Sequence, residues 1–205
     1  MINDGTSEAH ETTGEYEALV KGLLQQHVRI EGIGIQFHVY NRGAMLSGKS
    51  LPPAQVQAVY ERLGRLGLPL YITEITVPSS GTDGPELQAA IVANLYRLWF
   101  STPQMAGVTW WNLGDGTAFQ EKNQALGGLL DKEMNLKPAY RALDRLINQE
   151  WKTTLTLSTD AAGEARFRGF HGKYSIKLAT GGATREYAFE LKRGSDPSRA
   201  TFSLH

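Results

Sequence analysis

The apolar positions of this chain follow two rhythms. Up to about residue 147, helical spacings alternate with short apolar runs, and after residue 150 the apolar residues fall in short runs of period two. From Glu8 to Gln26, the residues Tyr16, Leu19, Val20, Leu23 and Leu24 recur at helical spacing, and Gly32 to Val39 then reads as a buried strand. Pro52 and Pro53 suit the first turn of a second helix carrying Val56, Val59, Tyr60, Leu63 and Leu66, with Gly67 as its stop. A strand over Leu68 to Ile75 follows at once. The breaker-rich loop from Pro78 to Pro85 leads into a helix from about Glu86 to Phe100, and Gly107 to Trp111 is the next strand. After a loop through Gly127 and Gly128, Lys137 to Ile147 predicts a closing helix. These are three strand and helix alternations, and Ile2-Asn3-Asp4 sits where the tail of a fourth strand would lie.

Beyond Glu150 the alternation runs through Leu155 and Leu157, then Tyr174, Ile176 and Leu178, then Tyr187, Phe189 and Leu191. Turn signals at Ala162-Gly163, His171-Gly172, Gly181-Gly182 and Arg193-Gly194 separate these runs, which predicts a small antiparallel β domain. The expected domains are residues 1–149 and 150–205. The first is of α/β class, with strands that end in polar or aromatic side chains, as a parallel (β/α) barrel presents its reactive rim. It holds too few units to close such a barrel.

Composition narrows the partners. Lys plus Arg number 21 and Asp plus Glu number 21, so no basic excess argues for nucleic acid or an anionic membrane. Cysteine is absent, which removes disulfides and thiolate chemistry. His10, His27, His171 and His205 are scattered without metal-ligand spacing, so neither a catalytic metal nor a cofactor is expected. No stretch approaches a membrane span, and the opening Met1-Ile2-Asn3-Asp4-Gly5-Thr6 lacks the pattern of a signal peptide.

Four strand-end motifs stand in order: Ile2-Asn3-Asp4, Glu31-Gly32-Ile33-Gly34-Ile35-Gln36-Phe37-His38, Ile72-Thr73-Glu74, and Gly107-Val108-Thr109-Trp110-Trp111 through Asp115. With Gly128-Leu129-Leu130-Asp131 and Lys137-Pro138-Ala139-Tyr140, they resemble the C-terminal half of glycoside hydrolase family 10, the retaining endo-β-1,4-xylanases. The resemblance implies strands five to eight of a TIM (β/α)8 barrel followed by a C-terminal β extension, with β-1,4-xylan or xylo-oligosaccharides as the partner. It makes Glu74 the nucleophile, with His38 positioned to hydrogen-bond it, hold it ionised and orient it. Gln36 and Asn3 would offer neutral groups to sugar hydroxyls, and Trp111 a face for a pyranose ring. Trp110 and Trp111 alternate, so one faces helices and the other the barrel axis. His38 taken alone reads as a structural histidine before a functional one, and its role rests on the Gln-x-His context. Asp115 reads as a sugar contact or, like Asp131, as a loop residue capping backbone groups.

Three departures accompany the resemblance. Thr76 stands where the family usually has an aspartate, and Phe119, a further expected substrate contact, where it has a tryptophan. The Asn-Glu pair that ends the family's fourth strand and supplies the acid/base has no counterpart in these residues. A half barrel exposes two strand edges, so the expected partners include a separate N-terminal half or a second copy of the chain. The alternative expectation is a non-catalytic sugar-binding or assembly module. The parent protein is expected to be secreted or periplasmic. Phe167, Phe170 and Tyr174 in the β extension read as packing residues before sugar contacts.

Overall fold

Short apolar runs joined by long amphipathic segments have a natural arrangement in a parallel sheet with helices packed against it. The computed structural model describes residues 1–4, 14–39, 42–46, 52–194 and 198–203 and divides into two units, Met1–Leu146 and Ile147–His205. The first unit runs β1 (Ile2–Asp4), α1 (Glu15–Gln25), β2 (Ile33–His38), α2 (Arg42–Leu46), α3 (Pro53–Gly64), β3 (Leu70–Thr76), α4 (Gly84–Ser101), β4 (Met105–Val108) and α5 (Pro138–Arg145). Its four strands are parallel and lie in sequence order, β1-β2-β3-β4. Ile2 pairs with Ile33, Ile33 with Leu70 and Leu70 with Met105, so the strands enter the sheet level with one another.

One face of this sheet carries the core. Ile33, Ile35, Phe37, Leu70, Ile72, Ile75 and Val77 are buried, as are Val20, Val59, Tyr60, Leu63, Val92 and Trp99 from the helices. Phe37 meets Trp99 edge-to-face at 5.3 Å, and the Trp99 indole donates to the Tyr60 hydroxyl at 2.9 Å. The Tyr16 hydroxyl on α1 donates to the carbonyl of Gly34, which ties the first helix to β2.

The elements depart from expectation at their ends. Residues 8–13 of the expected first helix and Leu51 lie outside the described residues, and Leu19 of its apolar stripe is exposed. β4 begins at Met105 and ends at Val108, two residues earlier than the predicted start, yet its pairing continues. The amides of Thr109 and Trp111 donate to Ile72 and Ile75 of β3. The 3-10 turn Gln120–Ala125 and the short α2 belong to loops too brief to show periodicity.

In the second unit, β5 (Gly172–Thr180) and β6 (Ala183–Leu191) form an antiparallel hairpin. Gly181 and Gly182 both have positive φ, as the twist of a two-residue hairpin turn demands. Tyr174 packs against Phe167 and Phe189, and Tyr187 against Phe202, which leaves Tyr174, Tyr187, Phe189 and Phe202 half-buried, while Phe167 and Phe170 stay exposed. The strand expected through Leu155 and Leu157 does not form, and both leucines are exposed. Alternation alone cannot make a strand when no neighbour takes up its backbone groups.

Candidate active site

Strand parity decides which side chains can meet. On β2, Ile33, Ile35 and Phe37 face the helices, which leaves Gly34, Gln36 and His38 on the opposite face. β3 starts in the same phase, with Leu70 and Ile72 buried. Strict alternation would then send Glu74 into the helix layer beside Ile72, where an unpaired carboxylate is costly. The register avoids this. Ile72 pairs with Ile35 but Glu74 pairs with Gln36, so Thr73 is the extra residue of a β-bulge. Beyond it, Ile75 and Val77 take over the buried face, and Glu74 and Thr76 turn towards Gln36 and His38.

The carboxylate of Glu74 is gripped at both oxygens. Gln36 Nε2 donates to Oε1 at 3.2 Å, and His38 Nε2 lies 2.9 Å from Oε2. An ionised carboxylate oxygen only accepts, so the proton of that second bond belongs to Nε2. The other ring nitrogen, His38 Nδ1, lies 2.9 Å from Thr76 Oγ1. Trp111 meets the His38 ring edge-to-face at 5.7 Å and remains 45% exposed. Trp110 is turned the other way and donates from Nε1 to the Gly127 carbonyl at 3.1 Å.

Asn3 joins the same face from β1. Its Oδ1 accepts from the Thr73 hydroxyl at 2.8 Å, across the backbone of Gly34. The glycine is required there, since a Cβ would lie 2.6 Å from Asn3 Oδ1 and 2.8 Å from Thr73 Cγ2. The strands thus bring Asn3, Gln36, His38, Glu74 and Trp111 to one side of the sheet.

Asp115 and Phe119 are placed differently. The Asp115 carboxylate accepts from Lys137 Nζ at 3.1 and 3.0 Å and from the Gly128 amide at 2.8 Å. Lys137 also donates to Ser79 Oγ and to the Leu126 carbonyl, so one ammonium ties the loops after β3 and β4 to the start of α5. Burial pushes the Lys137 pKa below its usual value, against the pull of Asp115. Asp115 therefore serves an internal ion pair, the capping alternative open in the sequence. Phe119 is 67% exposed and, among the described residues, no ring contact joins it to Trp111. Asp131 accepts from the backbone and side chain of Asn135, which hold its carboxyl below the usual range. Lys137 drew no sequence-based assignment, because its partners lie 22 and 58 residues away without a shared periodicity. Among the described residues, no three His, Asp or Glu side chains converge as a metal site would require.

Comparison with known proteins gives this geometry its context. The model of the family described as Glycosyl hydrolase family 10 matches residues 1–145. The anti-sigma-I factor RsgI6 of Acetivibrio thermocellus is 30% identical over 188 residues, covering 91% of this chain and 23% of that protein. Endo-1,4-beta-xylanase 2 of Arabidopsis thaliana is 26% identical over 200 residues, covering 96% of this chain and 17% of that one. Both matches necessarily run past residue 145 into the second unit. The crystal structure of xylanase 10B from Thermotoga petrophila in complex with xylobiose superposes with a TM-score of 0.59 at 25% identity, over 72% of this chain and 46% of that chain. The chain thus spans less than a quarter of these two curated relatives and about half of the xylanase structure. Its parallel sheet corresponds to part of a TIM barrel, and the hairpin unit is an extension of it.

Proposed function

The chain belongs to glycosyl hydrolase family 10, and from that premise we propose that it carries the nucleophile side of a retaining β-1,4-xylan hydrolase. The observation that supports this best is the bulge at Thr73, which lifts Glu74 out of the helix layer and into the grip of Gln36 and His38. A carboxylate held at both oxygens beside an open tryptophan face suits in-line attack on an anomeric carbon. In that step a Glu74 oxygen bonds the anomeric carbon, and the bond to the leaving oxygen breaks with its electron pair. A second carboxyl group about 5–5.5 Å away protonates that oxygen and later activates water. Asn3 and Gln36 hydrogen-bond sugar hydroxyls, and Trp111 stacks on a ring. A closed barrel of this kind has eight strands, and these residues supply four. The acid/base and the remaining strands come from another segment of polypeptide, a separate chain or a second copy, in a compartment where the polysaccharide is found.

A second reading is a polysaccharide-binding or assembly module without turnover. The 30% identity to an anti-sigma factor over 91% of the chain favours it.

Both are tested by incubating the chain with a 2-deoxy-2-fluoro-xylobioside bearing a dinitrophenolate leaving group, which departs without an acid catalyst, and measuring intact mass. A glycosyl adduct on Glu74, absent in Glu74→Gln, is expected from the nucleophile reading. No adduct, together with calorimetric binding of xylobiose, overturns it in favour of the module.

A further inference from the structure

The hydroxyl of Thr76 has work to do that the nucleophile reading leaves unassigned. Thr76 is 2% exposed and, among the described residues, its hydroxyl has His38 Nδ1 as its one hydrogen-bond partner. A buried hydroxyl proton without an acceptor is costly, whereas an unused lone pair on the same oxygen costs less. Three proton arrangements are open to the His38 ring. With the proton on Nδ1 alone, Nε2 would present a lone pair to the Glu74 carboxylate, and two acceptors would face each other at 2.9 Å. With both nitrogens protonated, Nδ1 would donate to Thr76 and strand the hydroxyl proton inside the protein. With the proton on Nε2 alone, Thr76 donates to Nδ1, Nε2 donates to Glu74, and every proton in the chain has an acceptor.

We propose that Thr76 is a positioning residue that acts through His38, donating its hydroxyl proton to Nδ1 and so keeping the imidazole neutral with its own proton aimed at Glu74. The functional part of the inference rests on Glu74 as nucleophile; the proton arrangement stands on geometry alone. Its consequence is electrostatic. Gln36 and His38 then both hold Glu74 as neutral donors, which fixes the carboxylate in place without cancelling the charge that must meet a developing oxocarbenium ion. An imidazolium in the same place would orient the carboxylate equally well but neutralise it and compete for its electrons. Groups that face His38 include Glu74 and Thr76 from β3 and the ring of Trp111, and Glu74 is the charged one of these three.

The test is a long-range proton–nitrogen correlation spectrum of the full chain labelled with ¹⁵N-histidine. The His38 signals are identified by their loss in His38→Gln. In the wild type and in Thr76→Ser, Nδ1 is expected to resonate as an unprotonated nitrogen and Nε2 as a protonated one at neutral pH. In Thr76→Val, which keeps the shape and removes the donor, the Nδ1 resonance should move downfield, towards that of an imidazole nitrogen whose lone pair is free. Thr76→Asp should hold the imidazolium to higher pH. A wild-type ring that is protonated at Nδ1 at neutral pH overturns the proposal, as does a Thr76→Val Nδ1 shift that coincides with the wild type. Should Thr76→Val fail to fold, the wild-type and Thr76→Ser spectra decide it. No turnover enters these measurements, so failure of the Glu74 labelling experiment and failure of this arrangement are separate results.

Discussion

Replacing Lys137 by methionine removes one ammonium and leaves the stem and volume of the side chain in place. In the wild type that ammonium donates to both oxygens of Asp115, to Ser79 Oγ at 2.8 Å and to the Leu126 carbonyl at 2.7 Å. The side chains of Lys137 and Asp115 are each 7% exposed. Without the ammonium, Asp115 is a buried carboxylate with the Gly128 amide as its remaining donor among the described residues. Breaking a buried pair from one side costs about 3–5 kcal/mol, because the surviving charge has paid its desolvation with nothing in return. Burial already depresses the Lys137 pKa, so part of the pair's attraction goes to offset the ammonium's own desolvation. Removing both charges in Lys137→Met/Asp115→Leu should therefore recover much of the loss. With a urea slope of about 1–3 kcal/mol per molar, the single substitution moves the midpoint down by roughly 2 M. Tryptophan fluorescence reads this well, since Trp99, Trp110 and Trp111 all lie in the barrel unit. A shift worth less than about 1 kcal/mol, or a double variant as unstable as the sum of its singles, would refute the reasoning.

Three further outcomes follow from the same structure. Tyr60→Phe strands the buried indole donor of Trp99, and thermal or urea unfolding should register a loss of about 1–3 kcal/mol. At high pH, burial holds Tyr96 up to about 12 and shifts Tyr60 in the same direction, while unfolded phenols ionise near 10. The unfolded chain then releases protons first, so stability contributed by these tyrosines is intact below about pH 10 and lost as pH rises through the folded values, with Tyr96 accounting for roughly 2 kcal/mol by pH 12. Lys137 works with the opposite sign, gaining stability as pH rises from its depressed folded value towards 10.5, and Tyr96→Phe should flatten the alkaline loss measured by urea titration at several pH values. Trp111→Ala removes a half-exposed ring, so it should weaken xylo-oligosaccharide binding by about tenfold in calorimetry while leaving the melting temperature nearly unchanged.

The strands and long helices were legible because each buries a regular stripe, and a regular stripe is what periodicity reports. Gln36, His38 and Glu74 were legible as strand-end residues through their motifs, but their meeting was not, since proximity across strands depends on register. The Lys137 clamp left no trace, because an ion pair between two loops has no period. Leu155 and Leu157 misled for the converse reason: they have the period of a strand but no neighbouring backbone to pair with.

The phase of β3 lies between these cases. Buried residues fall at 70 and 72, then at 75 and 77, a slip of one position that is written in the sequence and marks Thr73 as the inserted residue. Its consequence for Glu74 emerges only once β2 is laid beside it. That one insertion sets both halves of the cluster, since it turns Glu74 and Thr76 together towards His38. Deleting Thr73 should therefore remove the bulge and leave a plain alternation in which Ile72, Ile75 and Val77 stay buried while Glu74 and Thr76 keep the face of Gln36 and His38. A β3 that kept Thr73 in strict alternation would instead bury an unpaired carboxylate, at a cost of several kcal/mol. Thr73→Ala keeps the backbone count and should leave the bulge intact, losing the hydrogen bond to Asn3 alone. The His38 nitrogen spectrum tests both, because its Nε2 proton shift reports the bond to Glu74, which each should keep. A folded deletion variant that has lost that shift would mean that Thr73 is not the inserted residue.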